Sequence, residues 1–112
     1  MAYYDPALPR LFHALADPTR LAVVEALLTG PASVGDLAQP FDMALPSFLK
    51  HLKVLEEAGA VSSEKQGRVR MVRLNQTRLD EAARWFLDRR RYWDGRLDRL
   101  ESLLSQPDEA SQ

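Results

Sequence analysis

The stretch LPSFLKHLKVLEEAGAV, residues 45 to 61, combines two residue patterns that decide the fold. Leu45, Phe48, Leu52 and Leu55 recur at intervals of three and four residues, which is the spacing of a helix that buries one side. Small, basic or apolar residues occupy the positions between them: Ser47, Lys50, His51, Lys53 and Val54 among others. The stretch therefore predicts a helix with one side in a protein core and a second side that is free to meet another partner.

Helix start and stop signals precede this stretch. Asp17 and Pro18 predict the start of a helix, because an acidic side chain can cap the first turn and proline suits the first helical position. Gly30 ends that helix. Ser33 predicts the cap of another short helix, with an acidic residue three positions later as in a capping box. An earlier short helix is indicated by the apolar spacing that begins at Leu8.

The chain changes character after the central helix. Residues 60–74, AVSSEKQGRVRMVRL, contain β-branched residues in alternating positions, and they predict a β-hairpin with its turn at residues 65–67. Asn75 is the predicted cap of a final helix that continues to about Leu104. The polar tail from Pro107 onward is expected to be frayed. The sequence thus predicts a mainly α fold with a small β-hairpin.

Length and composition place the chain among ordinary globular proteins. Its 112 residues are about enough for one domain, so we expect a single domain over residues 1–112. Cysteine is absent, which excludes disulfides and thiolate metal sites. Because the first residues lack a basic start followed by an apolar stretch, and no apolar run approaches a membrane span, we expect a cytoplasmic protein with no membrane partner.

Charge is unevenly distributed along the chain. Residues 44–74 carry six basic and three acidic side chains, a net charge of +3, whereas residues 1–43 carry −3 and residues 75–112 carry −1. The basic segment contains both the central helix and the hairpin. A basic region of this kind is the electrostatic signature of a nucleic-acid partner.

The order of elements in residues 33–58 is that of a helix-turn-helix, in which the second helix enters the major groove of DNA. On a helical wheel of residues 45–58, five residues form an apolar arc: Leu45, Phe48, Leu49, Leu52 and Leu55. The opposite side holds Ser47, Lys50, Val54 and Glu57. His51 and Lys53 lie on the two flanks between these sides. The hairpin at residues 60–74 then resembles a wing that follows the phosphate backbone. We therefore predict contacts with double-stranded DNA through Pro46, Ser47, Lys50, His51, Lys53, Lys65, Arg68 and Arg70.

These motifs resemble, in order and spacing, the ArsR family of winged helix-turn-helix transcriptional repressors. The resemblance covers roughly residues 8–100 and is carried by ALADPTRLAVVEALL, LPSFLKHLKVLEEAGAV and KQGRVRMVRLN. It implies a homodimeric regulator that represses an operon by binding a pseudo-palindromic operator, with an unknown small-molecule inducer as a further partner. Two positions depart from the family pattern. Ala44 replaces a capping serine, so we expect a frayed helix start or a cap from Asp42, and Leu49 replaces a serine that faces DNA.

The final helix predicts a dimer interface. From Leu79 to Leu104 a seam of mostly apolar residues advances by alternating steps of four and three, interrupted only by Arg90. A small domain offers little core to cover so large an apolar surface, although packing inside one subunit is the alternative. In the resembled family the first and last helices form the dimer, here about residues 5–16 and 77–104. The predicted interface residues are Leu8, Leu11, Phe12, Phe86, Trp93, Leu97, Leu100 and Leu104.

Two other functions are compatible with the sequence. A winged-helix module could bind protein instead of DNA through the outer side of the central helix, although such a module would not need a basic segment. A ligand sensor could use the aromatic residues of the last helix to line an apolar pocket: Trp85, Phe86, Tyr92 and Trp93. The basic cluster of residues 89–91 alternates with acidic residues, which favours a solvated, salt-bridged helix face over a second DNA site.

Catalytic and metal sites are not indicated. The chain has no phosphate-binding glycine loop, no nucleophile elbow and no usable combination of serine, histidine and aspartate, so we expect no enzymatic activity and no cofactor. Its two histidines, His13 and His51, lie on different predicted helices, and the last helix has none. Neither can complete the three or four ligands that a zinc site needs.

This ligand shortage leads to a first prediction. Zinc, cadmium or arsenite at micromolar concentration should leave the DNA affinity of the protein unchanged, because thiolate and histidine ligand sets are missing. Fluorescence anisotropy with a labelled operator duplex measures this directly. A tenfold loss of affinity with any of the three would reveal a metal site built from carboxylates.

Overall fold

The computed structural model describes residues 7–105, and the expected frayed tail beyond Pro107 lies outside this range. Its elements, in chain order, are the helices and strands α1 (Ala7–Leu15), α2 (Pro18–Ala26), β1 (Ala32–Ser33), α3 (Val34–Ala38), α4 (Leu45–Glu57), β2 (Val61–Gln66), β3 (Val69–Leu74) and α5 (Gln76–Ser105). A short 3-10 turn, Leu27–Thr29, follows α2. The mainly helical fold with a small antiparallel sheet confirms the predicted fold class.

Contacts divide the chain into two compact units, one up to Leu79 and one from Asp80 onward. The first unit holds the helix-turn-helix and the sheet. The second consists of the α5 residues from Asp80 to Ser105. The single domain over residues 1–112 stays a prediction.

Side-chain caps start three of the helices at the positions that the sequence indicates. Asp17 accepts a hydrogen bond from the backbone N–H of Arg20 at 3.1 Å, and Ser33 accepts one from the backbone N–H of Asp36 at 3.1 Å. Asn75 accepts one from the N–H of Arg78 at 3.4 Å. Each cap satisfies a first-turn donor that has no partner within the helix.

The sheet has three strands in the order β1-β3-β2, all antiparallel, so the predicted hairpin gains a short third strand. Gln66 pairs with Val69, which places the two-residue turn at Gly67 and Arg68. The turn was predicted at residues 65–67, but Lys65 and Gln66 belong to β2, so only Gly67 of the predicted turn lies in the observed one. Gly67 has φ 66°, as required at the first central position of a type II′ hairpin turn.

The core of the first unit consists of buried apolar side chains. The largest side chains with less than 2% exposure are Phe48, Leu11, Leu55, Val23 and Val72. The complete burial of Leu11 corrects its predicted place in a dimer interface, because a side chain enclosed within one subunit cannot contact a second. Leu8 and Phe12 are half-buried. Of the predicted first dimerisation segment, about residues 5–16, residues 5 and 6 lie outside the described range.

The α5 helix carries much of its apolar surface exposed in the single chain. Its predicted interface residues have exposed fractions between 52% and 77%: Phe86, Trp93, Leu97, Leu100 and Leu104. Among the described residues, no helix is both long enough and apolar enough to cross a membrane.

The contrast between buried and exposed leucines of α4 yields a second prediction. Leu55→Ala should lower the free energy of unfolding by about 2–5 kcal/mol, because it leaves a cavity in the core. Leu45→Ala is the matched control on the same helix, and its 53% exposure predicts a loss below about 0.5 kcal/mol. Urea denaturation followed by circular dichroism measures both. Equal losses for the two variants would contradict the burial of Leu55.

Candidate nucleic-acid interface

The α4 helix is two-sided, and its buried side is narrower than the helical wheel predicts. Phe48, Leu52 and Leu55 are at most 5% exposed, whereas Leu45 and Leu49 are 53% and 43% exposed. Leu45 and Leu49 therefore do not belong to the core arc.

The exposed positions of α4 form a continuous stripe. Four exposed residues lie on one side of the helix because they are separated by three, one and three positions. They are Pro46, Leu49, Lys50 and Lys53. Ser47 is also exposed beside this stripe. Thus four of the five DNA contacts predicted on this helix lie outward, together with Leu49, to which the sequence assigned no contact.

The start of α4 differs from both predicted alternatives. Ala44 is the N-cap, and no described side chain caps this end. Its carbonyl accepts hydrogen bonds from the N–H groups of Ser47 and Phe48 at 3.0 and 3.1 Å, so the first turn is formed rather than frayed. Asp42 does not act as the cap.

His51, predicted to contact DNA, is directed towards the domain. Its Nδ1 lies 3.1 Å from Nη1 of Arg20 and 3.7 Å from Oδ2 of Asp17. Arg20 also donates from Nε to the carbonyl of Ala14 at 2.6 Å. This connection ties α4 to the start of α2 and the end of α1. His51 stands on the flank of α4 that meets α2, and its contact with DNA stays a prediction.

Asp17 is the acidic member of this connection. The hydrogen bond from the backbone N–H of Arg20 is the main reason that the pKa of the Asp17 carboxyl lies below its ordinary value. Desolvation, the next cause in size, raises this pKa, and the charges of Arg20 and His51 lower it further. Because the pKa of Asp17 is lower in the folded protein than in the unfolded chain, its ionised carboxylate stabilises the fold at pH values above the unfolded-state pKa. This stabilisation is lost as the pH falls through the folded-state pKa. The cap is therefore charged at neutral pH.

The exit from α4 orients the wing, defined here as β2, β3 and their turn. The N–H of Ala60 donates to the carbonyl of Leu55 at 2.9 Å, and that of Gly59 donates to the carbonyl of Glu56 at 3.0 Å. These two bonds form a Schellman motif, which needs the positive φ of 80° that Gly59 adopts. The chain consequently leaves α4 in one defined direction and enters β2 at Val61.

Two cations stand directly opposite each other on the wing. Lys65 pairs with Arg70 across the strands, and paired residues project from the same face of a sheet. Val61 and Val72 lie on this face nearer its base and are buried, so the face continues from the core outwards to the two cations. Like charges in this arrangement destabilise a hairpin unless an anion lies between them.

Arg70 is held in place by a short chain of hydrogen bonds. Its Nη1 donates to the hydroxyl of Ser63 at 2.9 Å, and that hydroxyl donates in turn to the Glu56 carboxylate on α4. The chain joins the central helix to both strands of the wing. On the other face of the wing, Arg73 forms an exposed ion pair with Glu64 at 3.9 Å. Arg70 is thus linked through Ser63 to α4, whereas Arg73 pairs with a neighbouring carboxylate on the wing.

The stripe on α4 and the wing border a shallow groove. Its lining residues come from α3, α4 and the wing and include Val34, Leu49, Lys53, Glu56, Ser63, Arg68, Val69 and Arg70. Lys65, Arg68 and Arg70, the predicted wing contacts, are all exposed. The sequence pattern missed Glu56 and Ser63, because a hydrogen-bonded link between a helix and a strand leaves no periodic signal.

Several charged residues of α5 contact neighbours on the same helix. Arg90 lies 3.6 Å from Asp94, and the guanidinium groups of Arg89 and Arg96 stack over the rings of Trp85 and Tyr92 at 5.2 and 5.3 Å. This pattern fits a solvated helix face rather than a second DNA site. Within residues 7–105, no three histidine or acidic side chains lie close enough together to hold a metal ion.

Comparison with known proteins identifies relatives of the chain. Residues 15–64 match the family profile described as a helix-turn-helix domain. The transcriptional repressor SdpR of Bacillus subtilis is 33% identical over 78 residues, which are 70% of this chain and 87% of SdpR. The HTH-type transcriptional regulator Rv2034 of Mycobacterium tuberculosis is 43% identical over 84 residues, covering 75% of this chain and 76% of the relative.

A solved structure agrees with these relatives. The crystal structure of the ArsR family transcriptional regulator RHA00566 superposes with a TM-score of 0.76 at 46% identity, over 84% of this chain and 97% of that protein. Sequence and fold thus lead to the same group of proteins. The chain belongs to the ArsR family of winged helix-turn-helix transcriptional regulators.

Proposed function

We propose that this protein is a homodimeric transcriptional repressor that binds a pseudo-palindromic operator in double-stranded DNA. In this proposal α4 lies in the major groove, and the wing contacts the phosphate backbone beside it. The relatives named as a repressor and as a regulator support the biological role. The roles of individual residues rest on the geometry of the surface.

The observation that carries the proposal is the opposed pair Lys65 and Arg70 on the wing. The two cations project from the same face of the wing, and a hydrogen bond to Ser63 holds the Arg70 guanidinium on that face. A phosphate group placed over the pair would replace repulsion by two favourable contacts. Lys53 of α4 lines the groove and Lys50 is exposed on the same helix, so α4 adds two cations to the surface that would face the major groove.

The α5 seam supports the homodimer. Five large apolar residues of one stripe are more than half exposed, and an exposed stripe of this length marks an interaction surface. A second copy of the same helix offers the complementary surface, because a twofold axis brings identical patches together. Such a dimer would present two α4 helices to half-sites about one helical turn apart or a multiple of it.

The alternatives make different demands on these residues. A protein-binding winged-helix module would have no use for the opposed cations of the wing. A ligand sensor would need the α5 aromatics to enclose a pocket, and these side chains instead lie exposed, with Trp85 and Tyr92 stacked under arginines. The proposal assigns no catalytic role to any residue and leaves the inducer unspecified.

A third prediction separates base contacts from backbone contacts. Lys50→Ala should weaken operator binding by about 1–3 kcal/mol and relax the preference at one or two base pairs of each half-site. Arg68→Ala should weaken operator and scrambled DNA about equally and reduce the salt dependence by about one unit per subunit, because it removes a phosphate contact. Fluorescence anisotropy over a salt series measures both effects.

Arg73→Ala is the matched control, since it removes the same charge from the face of the wing where Glu64 pairs with it. We expect a smaller effect on affinity than for Arg68→Ala. If Lys50→Ala and Arg68→Ala both left DNA affinity unchanged, the protein-interaction module would replace the repressor proposal.

A fourth prediction tests the dimer with two leucines of equal character. Leu97→Asp places a charge in the α5 seam and should convert the protein to monomers at micromolar concentration, because an unpaired charge is costly to bury. Leu87→Asp is the control, because Leu87 is similarly exposed but lies about a quarter turn away from the seam. Light scattering gives the masses. A monomeric wild type, or equal dissociation by both variants, would contradict the proposed interface.

A further inference from the structure

Leu49 is an apolar residue in the middle of the exposed stripe of α4. Its side chain is 43% exposed, with Lys50 next in sequence and Lys53 one helical turn further along the same side. Single exposed leucines are common on protein surfaces and need no function. The position of Leu49 is unusual because the neighbouring exposed side chains are those proposed to meet DNA.

Two valines extend the apolar surface around Leu49. Val34 at the start of α3 and Val69 on β3 border the same groove, and Val69 is 46% exposed. Arg68 and Arg70 border it as well. Around Leu49 the groove is therefore apolar, and the two arginines beside it favour an anionic partner that also offers an apolar group.

The major groove of DNA offers one such group. Among the base edges exposed there, the C5-methyl of thymine is the only apolar feature, and side chains recognise it by packing against it. Leucine cannot donate or accept a hydrogen bond, so it cannot read the other positions of the base edges. A leucine at the centre of the reading helix is therefore suited to one base.

We propose that Leu49 is a specificity-determining residue that recognises a thymine in each half-site through its C5-methyl group. This inference rests on the proposed DNA-binding function and states which base the exposed leucine selects. Lys50, its neighbour, then contacts an adjacent base or phosphate. In this arrangement the arginines that line the protein groove attract the phosphate backbone of DNA, while Leu49 discriminates between bases.

Replacement of thymine by deoxyuridine tests this directly, because the exchange removes the methyl group and leaves base pairing intact. Operator duplexes are prepared with uracil at one thymine position at a time and then at the symmetry-related pair, and affinities are measured by anisotropy. At one position per half-site, we expect the wild type to lose about fourfold in affinity for a single exchange and about fifteenfold for the symmetric pair, as estimated from burial of one methyl group.

Leu49→Ser and Leu49→Ala should bind the thymine and uracil operators with equal affinity. Lys50→Ala is the control: it should bind more weakly but keep the full discrimination between thymine and uracil. Because Leu49 is exposed, we expect both leucine variants to retain the circular dichroism spectrum and the melting temperature of the wild type.

The outcomes distinguish this inference from the proposal on which it rests. If the wild type prefers operator to scrambled DNA but no uracil substitution weakens binding, the thymine assignment is overturned and the repressor proposal stands. The same holds if Leu49→Ser and Leu49→Ala discriminate as strongly as the wild type, since another side chain then reads the methyl group. If the wild type does not distinguish operator from scrambled DNA, the proposed function itself fails.

Discussion

Burial of one side of α4 is the constraint on which the rest of the structure depends. Phe48, Leu52 and Leu55 anchor this helix in the core, and each contributes apolar burial of the order of 1.5–3 kcal/mol. The helix cannot rotate about its axis without exposing them. The outward direction of the remaining residues, Lys50 and Leu49 among them, is therefore set by the core. A thirteen-residue helix can in this way both stabilise the domain and present a fixed surface to DNA.

The wing depends on the same helix through two connections at its C-terminal end. The Schellman motif at Gly59 sets the direction in which the chain leaves α4, and the link from Glu56 through Ser63 to Arg70 joins that end to both strands. The distance between α4 and the cations of the wing is consequently fixed by contacts within the first unit. A surface whose parts are held in this way loses little conformational freedom when it binds, which favours affinity.

Local signals in the sequence predict much of this fold, and tertiary contacts account for what they miss. The caps Asp17, Ser33 and Asn75 are local features, so each was predicted correctly, as was the hairpin. Strand β1 is only two residues long and has no periodicity to detect. A helical wheel gives the direction of a side chain but not the width of the surface that covers it, which is why Leu49 was assigned to the core arc. The burial of Leu11 and the contacts of His51 with Arg20 and Asp17 were missed for a similar reason, since only the position of the neighbouring helices shows them.

The most direct test of the account is to map the DNA-contact surface by nuclear magnetic resonance on the isotopically labelled protein. Amide and side-chain methyl signals are followed while an operator duplex, obtained by footprinting the upstream region of the gene, is added. The account predicts that the largest changes fall on the exposed stripe of α4, including the Leu49 methyl groups, and on the wing around Arg68 and Arg70. Changes confined to other surfaces, with α4 and the wing unaffected at saturating DNA, would contradict it.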